Sequence, residues 1–264
     1  MSLLARLNIT NDRTWTAEPF ISVPEERITY WRDKLRSPLP DGQKLVVINW
    51  QGNPNTETSN LRGRSMPLET LAPLADCPGV TLLSMQRGHG SEQLESCSFK
   101  SRLHPLQDEV NEIWDLIETA AILKACDLVI STDTALVHLS AGSGQETWAL
   151  LHHLPDWRWG ANREGTRWYD SMRVFRQATP GDWHEVVDRL VVELGGTPVS
   201  ASIASSQSPT APLKPGQVNV PVGFGELIDK LTILEIKQKV LLLIVKSILH
   251  MFQAWCEWVL KKSI

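Results

Sequence analysis

Asp127-Leu-Val-Ile-Ser-Thr-Asp-Thr-Ala-Leu-Val-His138 is the stretch on which the reading of this chain turns. The apolar run over residues 128–130 stops at a polar cluster of Ser131, Thr132, Asp133 and Thr134. A small-residue helical pattern follows over residues 135–141, closed by Gly142. Strand, tight turn and helix start is the order this pattern specifies. In open α/β sheets, ligands sit beyond the carboxyl ends of the strands. A helix N-terminus there presents N–H groups and a partial positive charge, which suits phosphate. His138 stands four residues after Thr134, one helical turn on, so both side chains can face one ligand. The plain alternative is a capped helix in an ordinary α/β domain.

The surrounding chain supplies that domain. A β-rich run over residues 45–50, a helix over 67–75 and a strand over 80–85 come first. An amphipathic helix over 112–126 precedes the strand at 128–130 and the helix at 134–141. Strands at 147–151 and 172–175 and a helix over 182–194, capped by Gly195 and Gly196, complete the series. A further short strand is expected near Leu103, and a short helix over residues 24–32. Alternation of this kind specifies an α/β fold, a Rossmann-like doubly wound parallel sheet. Residues 197–212 are rich in Ser, Pro and Ala and read as a disordered linker. Beyond them, residues 224–260 read as a C-terminal helical tail. Its most apolar stretch, 240–249, is broken by Lys246 and followed by His250, Gln253 and Glu257. A spanning helix needs about 20 apolar residues, so no transmembrane segment is expected. The tail reads instead as a helix awaiting a partner or as a truncated second domain.

Composition narrows the function classes. The chain has 264 residues, a formal net charge of −4 and 21% charged residues. No basic stripe marks a nucleic-acid surface, so a nucleotide ligand would be held by a local site. The four cysteines, Cys77, Cys97, Cys126 and Cys256, form no C-x-x-C pair. Sparse thiols and no leader-like N-terminus place the expected location in the cytoplasm.

Five stretches, in order, resemble the C-terminal, donor-binding half of a GT-B glycosyltransferase. They are Val46-Val-Ile-Asn-Trp-Gln-Gly-Asn-Pro54, Arg64-Ser-Met-Pro-Leu-Glu-Thr-Leu-Ala-Pro-Leu74, Asp115-Leu-Ile-Glu-Thr-Ala120, residues 127–138 and Pro155-Asp-Trp-Arg-Trp159. The likeness is to the heptosyltransferase-like glycosyltransferase family 9, in the branch attached to tetratricopeptide repeats. It implies a bacterial enzyme half that binds a nucleoside-diphosphate sugar for transfer to an acceptor hydroxyl. It also implies that the family's D-T-G-L-x-H motif, which grips the diphosphate, falls on Asp133, Thr134, Ala135, Leu136 and His138. Ala135 replaces the glycine. The family's basic K-x-W-P motif becomes Arg64-Ser65-Met66-Pro67, and arginine can grip phosphate with two parallel bonds.

The expected donor site is therefore Arg64, Ser131, Thr132, Asp133, Thr134, Ala135 and His138, with Asn53, Gln86 and Glu118 as further contacts. Asn53 reads equally as a turn residue, and Glu118 as a helix cap. Trp157 and Trp159 either wall the sugar pocket or cover the sheet edge. No D-x-D pair occurs, so no metal or other cofactor is expected. A GT-B enzyme carries its acceptor site and usual base on a second Rossmann-like domain, which the resemblance does not find here. Asp12 and Glu18 would be guesses, and no catalytic base is assigned. The expected organisation is a connector over 1–36, the donor domain over 37–195, a linker over 196–217 and the tail over 218–264. Residues 225–237 also resemble the opening of a small uncharacterised bacterial domain. The alternative function is a non-catalytic nucleotide-sugar-binding or interaction module of the same descent.

Overall fold

A computed structural model describes residues 18–57, 63–160 and 164–198. The linker and tail expected beyond residue 198, and Asp12, lie outside the described residues. Five strands form one parallel sheet: β1 (Lys44–Asn49), β2 (Val80–Ser84), β3 (Leu128–Thr132), β4 (Thr147–Leu151) and β5 (Met172–Arg176). Their order is β2-β1-β3-β4-β5. The expected strand near Leu103 is a single parallel bridge to Leu82 on the outer side of β2.

Strand side chains alternate between two faces, and both faces are apolar, as a doubly covered sheet requires. Val46, Ile48, Leu128, Ile130 and Leu150 pack on one side against Leu68, Leu71 and Leu74. Helix α6 (Trp183–Glu193) joins them through Val186, Val187 and Leu190. Leu45, Val47, Leu83 and Val129 pack on the other side. Their partners there are Ile28, Trp31 and Leu35 of α1 (Glu25–Arg36) and Ala121, Ile122 and Ala125 of α4 (Leu116–Ala125). Helix α5 (Ala135–Gly142) buries Val137 and Ala141 against Ala149, Leu151 and Val174. Cys77, Cys97 and Cys126 are buried free thiols, and burial pushes each thiol pKa up, away from reactivity.

Several expected boundaries shift for local reasons. The helix expected over 67–75 is a 3₁₀ turn, Leu68–Leu71, followed by the one-turn α2 (Ala72–Ala75). Pro73 has no N–H for an α-helical bond to Glu69, and the Ala72 N–H reaches Glu69 instead. The helix expected over 112–126 divides into the short α3 (Gln107–Asn111) and α4. Asp115 stops the continuation by capping α4, its carboxylate accepting from the N–H groups of Ile117 (2.8 Å) and Glu118 (2.9 Å). Glu118 therefore does not cap the helix. Gly142 is the last residue of α5 rather than its stop. A Cβ there would lie 2.8 Å from Ile21 Cδ1, so glycine serves the close approach of residues 20–21, whose N–H groups both bond to its carbonyl. Gly195 and Gly196 do close α6, donating to Val192 (3.0 Å) and Val191 (2.8 Å) with Gly195 at φ +80°.

His104 ties the β2 side of the sheet to α1. Its Nε2 lies 2.8 Å from the Leu35 carbonyl, and its Nδ1 accepts from the Leu106 N–H at 3.0 Å. That pairing fixes the neutral Nε2–H tautomer. Burial lowers its pKa below the ordinary 6.5, against the raising effect of the Leu35 bond, and Arg36 lowers it further. The unfolded chain then binds a proton near pH 6.5 that the folded chain refuses, so stability falls as the pH drops below that value. Denaturant unfolding between pH 7.5 and 5 should show the gap between the wild type and His104→Gln narrowing as the pH falls. A pH-independent gap would contradict this assignment.

Candidate functional site

All strands run parallel, so their carboxyl ends share one edge. The chain leaves β1 and β3 toward opposite sides of the sheet, so their ends are the switch point at which open α/β sheets place a crevice. Asn49 and Ser131 stand paired across this crevice. Asn49 is 6% exposed and closes a run of apolar strand residues, so its amide needs partners. Its Oδ1 accepts from the hydroxyls of Ser131 (3.0 Å) and Thr134 (3.1 Å), and its Nδ2 donates to Gln86 Oε1 at 2.8 Å. Thr134 also caps α5, its Oγ1 accepting from the Leu136 N–H at 3.3 Å. One amide thus joins the ends of β1, β2 and β3 to the start of α5.

Gln86 is a scaffold residue rather than an evident ligand contact. Its Oε1 also accepts from the N–H groups of Trp50 (3.2 Å) and Gln51 (3.1 Å). Its Nε2 donates to the carbonyls of Gln51 (2.9 Å) and His89 (2.7 Å). Only one orientation of the amide satisfies all five bonds. Glu118 is likewise engaged elsewhere, with Arg27 (2.7 and 2.6 Å) and the Trp31 indole (2.6 Å) on α1. The Arg27 bond holds its carboxyl below the usual carboxylate range. Asn53 is exposed and its Oδ1 accepts from the Asn55 N–H at 2.9 Å, which is the turn reading of that residue.

Arg64 does reach the crevice. The Met66 N–H bonds to the Trp50 carbonyl at 3.0 Å, fastening this loop beside the end of β1. Arg64 Nη1 donates to the backbone carbonyl of Asp133 at 3.2 Å, and its Nε lies 3.3 Å from Glu57. The guanidinium rests against Gly52, where a Cβ would fall 2.5 Å from it. Asp133, Thr134, Ala135 and Arg64 are therefore brought together.

The Asp133 side chain turns away from the role expected of it. It is 2% exposed, and a buried carboxylate needs a counter-charge. Arg158 Nη2 lies 3.1 Å from both of its oxygens, and the Trp159 indole donates to Oδ2 at 2.8 Å. Trp159 is buried and stacks on His138 with ring centroids 5.4 Å apart. His138 Nδ1 pairs with the Tyr169 hydroxyl at 2.8 Å. Trp159 is thus a buttress of the turn, and the Trp157 side chain lies outside the described residues.

Asn49, Arg158 and Tyr169 were absent from the expected site. An amide at the last place of a buried strand was a signal for Asn49. Arg158 lies in the last of the five resembling stretches but was given no role there, and nothing in the sequence linked Tyr169 to the turn. Among the described residues no three His, Cys, Asp or Glu side chains converge as metal ligands would. No helix among them is long and apolar enough to cross a membrane. A groove of about 570 Å³ lies at the far edge, between β5 and α6. Its arginines pair within the groove, Arg173 with Glu193 at 2.9 Å and Arg189 with Glu185 at 2.7 Å. It is a charged seam, unlike an apolar pocket with a few convergent donors.

No family model matches the chain. It is 26% identical over 180 residues to Protein FlbA of Caulobacter vibrioides, covering 66% of this chain and 28% of that protein. Among solved structures it is similar to a glycosyl transferase family 9 protein from Veillonella parvula, at 18% identity and a TM-score of 0.43, over 66% of this chain and 46% of that one. It is also similar to the ADP-heptose lps heptosyltransferase II of E. coli, at 16% identity and a TM-score of 0.46, over 72% and 55% of the two chains. The chain therefore spans between about a quarter and about half of the length of these proteins.

The Gln86 amide generates a stability prediction. Gln86→Leu strands the N–H groups of Trp50 and Gln51 and one N–H of Asn49, at about 1–3 kcal/mol for each buried group left unpaired. A thermal midpoint lowered by roughly 6 °C or more is the expected result for a domain of this size. An unchanged midpoint would remove the amide from its central place.

Proposed function

We propose that this chain is the donor-binding half of a glycosyltransferase. It would hold a nucleoside-diphosphate sugar for metal-independent transfer to an acceptor hydroxyl. The carrying observation is the convergence of Arg64, the Thr134-capped start of α5 and the Ser131–Thr132 strand end on one crevice. Transfer releases a nucleoside diphosphate, and its developing charge requires preorganised donors. A guanidinium and the N–H groups of a helix start supply them. His138, oriented by Tyr169 and Trp159, stands on the first turns of the same helix. The five ordered sequence stretches support the same reading.

A second reading, a nucleotide-sugar-binding module without turnover, is favoured by one observation. The Asp133 carboxylate is bound by Arg158 and Trp159, which removes it as a proton acceptor for an incoming hydroxyl.

Thermal unfolding with ADP, GDP and UDP, with and without EDTA, tests the donor site. Ligand bound only by the native state raises the midpoint. One nucleotide should do so, in EDTA as well. Failure of all three to shift a cooperatively folding chain would refute the site, and a shift abolished by EDTA would refute metal independence. Release of free sugar from the matching donor separates the enzyme from the module.

Gly52 offers a test of position without removing charge. Gly52→Ala pushes its methyl into the Arg64 guanidinium, the movable end of a long side chain, so stability should change little. Nucleotide affinity should fall in Gly52→Ala and in Arg64→Ala, by about ten-fold or more for a charged hydrogen bond. Calorimetry showing wild-type affinity in both would exclude Arg64 from the site.

A further inference from the structure

We propose that Arg158 is a second cation for the donor's diphosphate and that Asp133 is the residue that positions it. The inference rests on the donor-site reading above. Arg158 lies in the turn Trp157–Trp159 after β4, outside the stretches assigned to phosphate. Among the described residues its guanidinium donates hydrogen bonds through Nη2 alone, both to Asp133. Its Nε is buried, has no hydrogen-bond partner among the described residues and lies 3.9 Å from Asp156. A guanidinium carries five donors in a fixed fork, and a buried donor left without an acceptor is costly. The side chain keeps 29% exposure, none of it at Nε, so an anion at the turn would meet the outer edge of the fork, whose donors Asp133 leaves unused.

The placement matches the charge to be held. Asp133 is gripped twice: Arg64 takes its backbone carbonyl at 3.2 Å and Arg158 takes its carboxylate at 3.1 Å. Two guanidinium groups are thereby anchored to the residue just before the α5 cap. One guanidinium fork suits one phosphate, and each fork here has a carboxylate beside it, Glu57 at 3.3 Å from Arg64 and Asp133 at 3.1 Å from Arg158, so what each offers a ligand is directed N–H donors. A diphosphate calls for a second cation, and Arg158 approaches from the β4 side of the crevice. Asp133 then acts through Arg158 and Trp159 and does not touch the ligand itself. Arg158 would select diphosphate over monophosphate.

The test is calorimetry on the full chain with the nucleoside diphosphate that stabilises it and with the matching monophosphate. Arg158→Gln alone would strand the buried Asp133 carboxylate, so the double variant Asp133→Asn/Arg158→Gln removes the pair without changing net charge. It should lose about ten- to a hundred-fold in diphosphate affinity, the size of a charge-assisted contact, with a smaller loss for the monophosphate. Arg158→Lys keeps the charge and loses the fork, and should show a reduced diphosphate preference. It decides the question if the double variant fails to fold. Wild-type preference in both folded variants, while Arg64→Ala weakens binding, overturns this proposal and leaves the donor site standing. A wild-type chain that binds no nucleotide overturns both.

Discussion

The Asn49 amide is the constraint on which the site depends. Three strands of an apolar sheet end together, and their last residues must leave the core without stranding backbone groups. Asn49 meets that demand by accepting from Ser131 and Thr134 and donating to Gln86. Gln86 in turn satisfies the N–H groups of Trp50 and Gln51 as the chain turns out of β1. In a buried setting each such bond strengthens its neighbours, and a single missing member leaves several groups unpaired. The position of the α5 start relative to β1 is therefore set by side-chain hydrogen bonds, and the flanking apolar clusters supply adhesion without fixing register.

The charges are layered on that frame. Arg64 holds the turn by its backbone and Arg158 holds it by the Asp133 carboxylate, so the same residue is clamped from two loops. The Trp159 indole and the stacked His138 ring fill the space beneath. A surface ion pair of this size would contribute little, but Asp133 is buried, and breaking its pair costs far more than the pair is worth. The turn is consequently stiff in the place where a ligand would need fixed donors.

Layer and order were legible in the sequence because strand and helix periods differ so plainly. The β4 boundaries, the Thr134 and Asp182 caps and the glycine close of α6 follow from local chemistry that neighbouring packing does not override. The helices expected over 67–75 and 112–126 were misjudged because apolar period alone ignores a missing N–H at Pro73 and a competing carboxylate at Asp115. Site residues were less legible than elements. Gln86 and Glu118 sit at suggestive points in the sequence, yet each amide or carboxylate is engaged mainly by groups 35 to 91 residues away. Arg158 and Tyr169 reach the turn across 25 and 31 residues, a separation that no local pattern encodes.

The same geometry limits what the crevice can do on the proposed reading. A base that activates a hydroxyl must be within hydrogen-bond reach of it and must have a lone pair to spare. Asp133, the acid in the motif, spends both oxygens on Arg158 and Trp159, so its charge serves to orient a cation. If the crevice takes a diphosphate as proposed, Asp133 serves it by orienting Arg158 and takes no proton from an acceptor. On that reading, binding does not depend on a proton acceptor at Asp133, and it can persist separately from turnover. That separation is why ligand affinity and turnover have to be measured independently for a chain of this kind, and why loss of one says nothing about the other.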